Sequence, residues 1–167
     1  GFVNDGWTEL TEPGTYRGKC AELCGKDHGF MPIVLIAKTE EDYAQWVADQ
    51  KAGAAAEAAA AGKTWGMDDL VARGEEVYKK NCVACHQAEG QGIPGVFPAI
   101  TGSAIASGPV TDHTDIVING KAGTAMAAFG AQLSDVDIAA VVTYQRNALG
   151  NDAGDMVQPT DIAAARK

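Results

Sequence analysis

The sequence lacks long hydrophobic runs and has few basic side chains. No stretch of its 167 residues approaches the ~20 consecutive apolar residues of a membrane-spanning helix. Basic side chains number 13 and acidic ones 22, which gives a net charge of −9. A surface of this sign repels phosphate groups and attracts basic proteins. Composition therefore argues against nucleic acid as a partner and favours a basic protein.

Cysteine and histidine are scarce, and they occur together. The four cysteines form two close pairs, and two of the three histidines lie within four residues of a pair. The groups are Cys20 and Cys24 with His28, and Cys82 and Cys85 with His86. Thiol and imidazole groups at this spacing indicate metal or cofactor sites rather than two local disulfides.

Composition and hydrophobic periodicity divide the chain into four segments. Residues 1–49 are β-rich, and residues 32–37 predict a buried strand between turns. The Ala-rich residues 50–66 have high helix propensity but little to bury, so they predict a semi-rigid linker. Residues 67–150 predict an all-α domain, and residues 151–167 a flexible tail.

Two amphipathic helices are expected to bound the second domain. Asp68 or Asp69 is a candidate cap for the first, which ends at Asn81, and Ser134 is the cap of the last. A short helix is expected at residues 112–119 between them. The expected inward-facing residues are Leu70, Val71, Gly74, Val77 and Tyr78 in the first helix, and Val136, Ile138, Ala139, Val141, Val142 and Tyr144 in the last.

The run Cys82-Val83-Ala84-Cys85-His86 has the spacing of a c-type haem attachment motif. In such a run the two thiols add to the vinyl groups of the haem, and the imidazole becomes an axial iron ligand. A zinc site or a redox-active cysteine pair is the alternative, although zinc would need a fourth ligand and the spare histidine is His113.

Met126 is the candidate for the second axial ligand. It lies in a loop of small residues before the last helix, where the backbone can approach a haem face. Ordinary core packing is the alternative for this side chain. His113 is a rival ligand that would lower the reduction potential. Because it lies beside Asp112 and Asp115, we expect His113 to be solvated at the start of a helix.

Residues 68–150 resemble a class I cytochrome c. The resemblance rests on the helix that ends in the attachment motif, the loop at residues 95–103, the distal Met126 and the closing helix. It implies a fold in which the first and last helices cross where Gly74 meets Tyr144. It also implies that the carbonyl of Pro98 accepts a hydrogen bond from the imidazole of His86.

A second set of ligands lies near the N-terminus. Cys20, Cys24, His28 and Met31 fall within twelve residues and are soft enough to favour copper. The alternatives are a disulfide between the two cysteines and a mononuclear copper site, which would use one cysteine. The second cysteine favours a thiolate-bridged metal pair.

This second motif resembles the dinuclear copper (CuA) loop of cytochrome c oxidase subunit II; nitrous oxide reductase shares the ligand spacing. The resemblance implies a cupredoxin-like, all-β fold for residues 1–49. It also implies bridging thiolates at Cys20 and Cys24, a backbone carbonyl ligand at Glu22, and ligation by His28 and Met31. The family's site takes another histidine from upstream of the cysteines, and none precedes His28. We therefore expect the copper site and the β domain to be incomplete within these residues.

Together the two halves resemble subunit II of an oxidase fused to haem c. The resemblance implies electron transfer from a soluble cytochrome c or similar one-electron donor, through haem c and CuA, to oxidase subunit I. It implies the periplasmic side of a bacterial inner membrane, an anchoring segment outside this sequence, and no catalytic oxygen-reducing site within it. The alternatives are a free-standing c-type electron carrier and a haem peroxidase, in which His113 would have to be the acid–base group.

Overall fold

The computed structural model describes residue 3 and residues 5–166, and the chain divides into two compact units after residue 54. The described residues form two strands and six α-helices. In chain order these are β1 (Gly14–Lys19), β2 (Pro32–Ala37), α1 (Glu40–Ala61), α2 (Met67–Asn81), α3 (Val83–His86), α4 (Val110–Asn119), α5 (Asp135–Asn147) and α6 (Pro159–Ala165). Among the described residues, no helix is long and apolar enough to cross a membrane.

The first unit is built on a two-stranded sheet. Strand β1 pairs antiparallel with β2, in a register that runs from Gly14 opposite Ala37 to Lys19 opposite Pro32. The strand predicted at residues 32–37 is present, but the prediction that it is buried is wrong. Ile36 is 62% exposed, and no described residue of this unit is buried. The reason is that one partner strand covers an edge of β2 and neither of its faces.

The second unit is helical and its core lies between α2 and α5. The residues buried there include most of those predicted from periodicity, among them Leu70, Val77 and Tyr78 of α2. The predicted cap of α5 is confirmed, since Ser134 accepts a hydrogen bond from the backbone of Asp137. The predicted cap of α2 is wrong, because the helix begins after Gly66. Asp68 and Asp69 lie instead in its first turn, where negative charge favours the helix dipole.

Helices α2 and α5 cross at a glycine. A Cβ atom on Gly74 would overlap the carbonyl oxygen of Ala140 and lie 2.6 Å from Cβ of Tyr144. The ring of Tyr144 packs at a tilt against Tyr78, with centroids 5.5 Å apart. The contact of Gly74 with Tyr144 that the cytochrome resemblance implies is therefore present. Any side chain at position 74 would push the helices apart.

The prediction of a flexible tail is wrong. Ile162 of α6 is fully buried, and Val157 is 3% exposed. Asn151 is also buried and donates to the carbonyls of Ile100 and Gln145, while Asp155 pairs with the buried Arg146 at 2.6 Å. The segment is held because its asparagine and aspartate side chains satisfy buried polar groups.

The chain divides after residue 54, inside the predicted linker at residues 50–66, but the part of the linker that follows packs within the second unit. Helix α1 runs through the linker to Ala61, and its last turns belong to the second unit. Glu57 lies there, 2.8 Å from Arg73 of α2 and 2.6 Å from the hydroxyl of Ser134. The pKa of Glu57 is lowered chiefly by the bond from Ser134 and then by Arg73. Low hydrophobicity of this segment gave no sign of these polar contacts.

Candidate haem and copper sites

The attachment motif lies on one helical turn. Helix α2 ends at Asn81, and α3 begins directly after Cys82, whose backbone N–H still donates to Tyr78 at 2.9 Å. The backbone N–H of His86 then donates to the carbonyl of Cys82, also at 2.9 Å. Cys82, Cys85 and His86 are all half-buried. Spacings of three and four residues place the two thiols and the imidazole on the same side of the turn.

A backbone carbonyl orients the imidazole of His86. Nδ1 of His86 lies 2.9 Å from the carbonyl oxygen of Pro98, which can only accept, so this nitrogen carries the proton. The Nε2 lone pair is therefore free for a metal. Gly92 makes this loop possible: its φ is +65°, and a Cβ there would lie 2.6 Å from the Pro98 carbonyl oxygen. The residues present fit a c-type haem, because the cysteines are free thiols and the imidazole has the ligating tautomer.

Burial keeps Cys82 protonated. Desolvation, with a smaller contribution from neighbouring Cys85, raises the pKa of Cys82 to about 12. Tyr78 lies beneath the same turn and donates its hydroxyl to the carbonyl of Gln87 at 2.7 Å. Cys82, the residue between α2 and α3, therefore has a neutral thiol, and its backbone is fixed by the hydrogen bonds of this turn.

Met126 is half-buried in the loop that follows α4. The loop is closed by the backbone N–H of Lys121, which donates to the carbonyl of Met126 at 3.1 Å. Gly120 begins the turn with φ of +70°, and a Cβ there would lie 2.7 Å from that carbonyl oxygen. The loop is therefore locally fixed, and iron ligation by Met126 stays a prediction.

His113 is not solvated, which corrects the expectation for this residue. It is 5% exposed, and Nε2 lies 2.7 Å from Oε1 of Gln145 on α5. Nδ1 has no hydrogen-bond partner among the described residues. Burial lowers the pKa of His113 to about 4, so the imidazole is neutral near pH 7. The charges of Asp112 and Asp115 suggested an exposed site, but His113 points to the other side of α4.

Sequence reasoning missed Gln145. It is 4% exposed, and its Nε2 lies 3.9 Å from Sγ of Cys82. A signal was present, since Gln145 follows Val141 by four residues and Val142 by three, on the buried face of α5. A polar residue on an otherwise apolar inward face needs a partner, and His113 supplies it.

The second cluster of ligands lies in the loop between β1 and β2. One side-chain atom from each of Cys20, Cys24 and His28 lies within 4.8 Å of the other two. Sγ of Cys24 is 3.0 Å from Sδ of Met31 and 3.6 Å from Nδ1 of His28. The structure thus brings four of the predicted copper ligands together, on a loop that includes a 3₁₀ turn over His28–Phe30.

The fifth predicted ligand also borders this cluster. The carbonyl of Glu22 accepts a hydrogen bond from the thiol of Cys20 at 3.1 Å. The two thiols lie within 4.8 Å of each other, and the pKa of Cys24 is raised, chiefly by its interaction with Cys20. The two thiols, the imidazole and the thioether fit copper by donor softness, and the carbonyl oxygen of Glu22 is a further donor beside them.

Two families match separate parts of the chain. Residues 1–38 match the family described as cytochrome c oxidase subunit II, periplasmic domain. Residues 69–144 match the family described as cytochrome c oxidase, cbb3-type, subunit III. Each match includes one candidate site.

Individual relatives carry the description cytochrome c oxidase subunit 2. The chain is 32% identical to cytochrome c oxidase subunit 2 of Alkalihalophilus pseudofirmus over 158 residues, 88% of this chain and 43% of the relative. It is 48% identical over 48 residues to the probable cytochrome c oxidase subunit 2 of Rickettsia prowazekii, covering 29% of this chain and 15% of that protein. With the subunit 2 of Zea mays it is 57% identical over 37 residues, 22% of this chain and 14% of the relative. The chain thus spans less than half the length of these relatives.

The helical unit with its attachment turn is a cytochrome c domain. The segment before it, with the loop of soft ligands, matches the periplasmic domain of cytochrome c oxidase subunit II. The chain is therefore similar to cytochrome c oxidase subunit II, with a cytochrome c domain after the matching segment.

Proposed function

We propose that this chain transfers electrons through covalently bound haem c to a CuA centre, as part of a haem-c-fused oxidase subunit II. The observation that carries the proposal is the proximal histidine. His86 lies one turn beyond Cys82, and its Nδ1 is held at 2.9 Å by the Pro98 carbonyl. This arrangement presents Nε2 to a metal and leaves two thiols free to anchor a porphyrin.

Cys82 and Cys85 would hold the haem, and His86 and Met126 would be its axial ligands. Each thiol adds its S–H across a vinyl group, so sulfur bonds to one carbon and hydrogen to the other. A c-type haem supplies a centre that changes between ferric and ferrous iron. If His86 and Met126 both held the iron, the chain would leave no ligand position for a substrate, which favours electron transfer over peroxidase chemistry.

Cys20, Cys24, His28, Met31 and the carbonyl of Glu22 would bind the copper. Copper in this cluster supplies a second one-electron centre. Both thiols must lose their protons to bind copper, so copper binding releases protons to the solvent. The second imidazole of a CuA site has no candidate before His28. We therefore propose that residues 1–49 form part of a cupredoxin-like domain and part of its copper site.

The proposed direction of transfer is from a soluble cytochrome c or similar donor to the haem, then to copper, and on to oxidase subunit I. The match to a domain described as periplasmic supports a location on the outer side of a bacterial inner membrane. Net charge of −9 suits a basic donor.

The proposal is tested by absorption spectra of the purified chain in both oxidation states, with iron and copper quantified on the same sample. We expect one covalently bound haem per chain, a sharp reduced c-type spectrum and a ferric charge-transfer band from methionine ligation. Met126→Ala should abolish that band. Met156→Ala, at an exposed position outside the proposed site, is the matched control and should leave it unchanged.

Two results would contradict parts of the proposal. A band that survives in Met126→Ala would remove Met126 as the ligand. Copper at two per chain with a CuA-like spectrum would show that the site is complete, and another residue would then have to replace the missing imidazole.

A further inference from the structure

A buried polar chain lies between α4, α5 and the first haem-anchoring cysteine, and the proposed route of electrons does not use it. His113 and Gln145 are 5% and 4% exposed. Nε2 of His113 lies 2.7 Å from Oε1 of Gln145, and Nε2 of Gln145 lies 3.9 Å from Sγ of Cys82. These two polar side chains lie in a core whose other members are mostly aliphatic.

The hydrogen bonds that link His113, Gln145 and Cys82 have a direction. A sulfur that has become a thioether has no proton and can only accept, so the amide nitrogen of Gln145 is the group that faces it. The amide oxygen then faces His113 and accepts from Nε2–H. Nδ1 consequently carries no proton, and it has no hydrogen-bond partner within the part of the chain that the structure describes.

We propose that Gln145 directs its amide N–H toward the haem edge at Cys82 and raises the reduction potential of the haem, and that His113 positions Gln145 for this role. The inference rests on the haem attachment proposed above. Iron carries one more positive charge in the ferric state, and the positive end of the N–H dipole disfavours that state. The effect is strong because the amide is buried, where electrostatic interactions are weakly screened.

The neighbouring charges do not replace this effect. Arg146 follows Gln145 and is 3% exposed, but its Nε and Nη2 donate to the two carboxylate oxygens of Asp155, at 2.6 and 2.7 Å. The guanidinium is thus neutralised by its partner. His113 is neutral near pH 7, so it adds no charge behind the amide of Gln145, whose Nε2 lies 3.9 Å from Sγ of Cys82.

The test measures the midpoint potential of the full, haem-loaded chain by optical redox titration at pH 7. Gln145→Leu is expected to lower the equilibrium constant for reduction by about threefold to tenfold, where tenfold corresponds to about 59 mV for one electron. His113→Leu should shift it in the same direction by less. If His113 acts through Gln145, the double variant should show the shift of Gln145→Leu alone.

Thr143→Val is the matched control. Thr143 is a fully buried polar residue of the same helix, but its hydroxyl accepts from the backbone of Val157 on the side of α6. The Thr143→Val variant should be less stable than the wild type but should have the same midpoint potential. A Gln145→Leu variant that behaves like this control, less stable but with the wild-type potential, would overturn the proposal.

A second measurement needs no variant. Nitrogen-15 NMR spectra of the ferrous wild-type protein should show a neutral His113 that is protonated at Nε2. A proton at Nδ1 instead would reverse the direction of the hydrogen bonds from His113 to Cys82 and would contradict the proposal. Pyridine haemochrome spectra of each preparation show whether haem is attached. Absence of haem from the wild type contradicts the proposed function, whereas attached haem with an unchanged potential contradicts the role of Gln145 alone.

Discussion

Single backbone groups fix the side chains of both candidate sites. The carbonyl of Pro98 holds the ring of His86, and the carbonyl of Glu22 accepts from the thiol of Cys20. Such contacts orient ligands before any metal or cofactor binds, and this reduces the conformational freedom that binding must remove. His113 is buried in the core, and its protonation opposes folding.

The stability of the haem domain is expected to fall as the pH drops from about 6.5 to about 4. Burial lowers the pKa of His113 from its usual 6.5 to about 4, so in this window the unfolded state binds a proton that the folded state rejects. Stability is complete above the unfolded pKa and is lost as the pH falls toward the folded one. Each pH unit in this window lowers the free energy of unfolding by up to about 1.4 kcal/mol, and the total loss is about 3 kcal/mol.

Denaturant titrations of the haem-loaded chain at several pH values measure this effect. His113→Gln removes the titrating group and should flatten the profile between pH 6.5 and 4. The salt-bridged carboxylates of Glu57 and Asp155 have lowered pKa values, and their contributions are lost at more acidic pH. A variant with the same slope as the wild type in this window would show that His113 is not responsible.

At the scale of helices, the crossing of α2 and α5 is the contact on which the cytochrome domain depends. Gly74→Ala places a methyl group against the carbonyl of Ala140 and the side chain of Tyr144. Both obstacles are parts of a packed helix, so the helices must separate. We expect a loss of about 3 kcal/mol in the free energy of unfolding, at the upper end of the usual cost of overpacking.

Denaturant unfolding followed by helical circular dichroism checks this value. Gly62→Ala is the matched control, because the nearest atom to its new methyl group would be 3.8 Å away. The control should be neutral or slightly stabilising. Equal stabilities for Gly74→Ala and Gly62→Ala would mean that the crossing can adapt.

Local patterns predicted the elements that carry the haem site, and they failed where contacts are distant in sequence. Periodicity located α2 and α5, because each has one apolar face, and the attachment motif is contained in five residues. By contrast, the side chain of Gln158 accepts from the backbone N–H of Trp65 at 2.9 Å and donates to its carbonyl at 3.0 Å. These residues are 93 positions apart, and both lie in segments that low hydrophobicity assigned to a linker and a tail.

At the scale of the whole molecule, the two segments that contain Pro98 and Met126 carry little of the charge. Between residues 87 and 111 the one charged side chain is Glu89, and between residues 116 and 134 it is Lys121. The first segment contains Pro98, whose carbonyl holds the ring of His86. The second contains Met126, the other proposed iron ligand. The net charge of −9 therefore acts on an approaching partner from a distance, where salt screens it strongly.

Electron exchange with small complexes should reveal this long-range field. We expect the rate of reduction by a cationic ruthenium hexaammine to fall as ionic strength rises, and the rate of oxidation by ferricyanide to increase, because salt screens attraction in the first case and repulsion in the second. Stopped-flow kinetics on the haem-loaded chain measure both slopes. Lys121→Glu reverses the one charge between residues 116 and 134 and should steepen both dependences. If ferricyanide were instead slowed by salt, the potential at the haem edge would be positive despite the net charge, and a basic donor would no longer be the favoured partner.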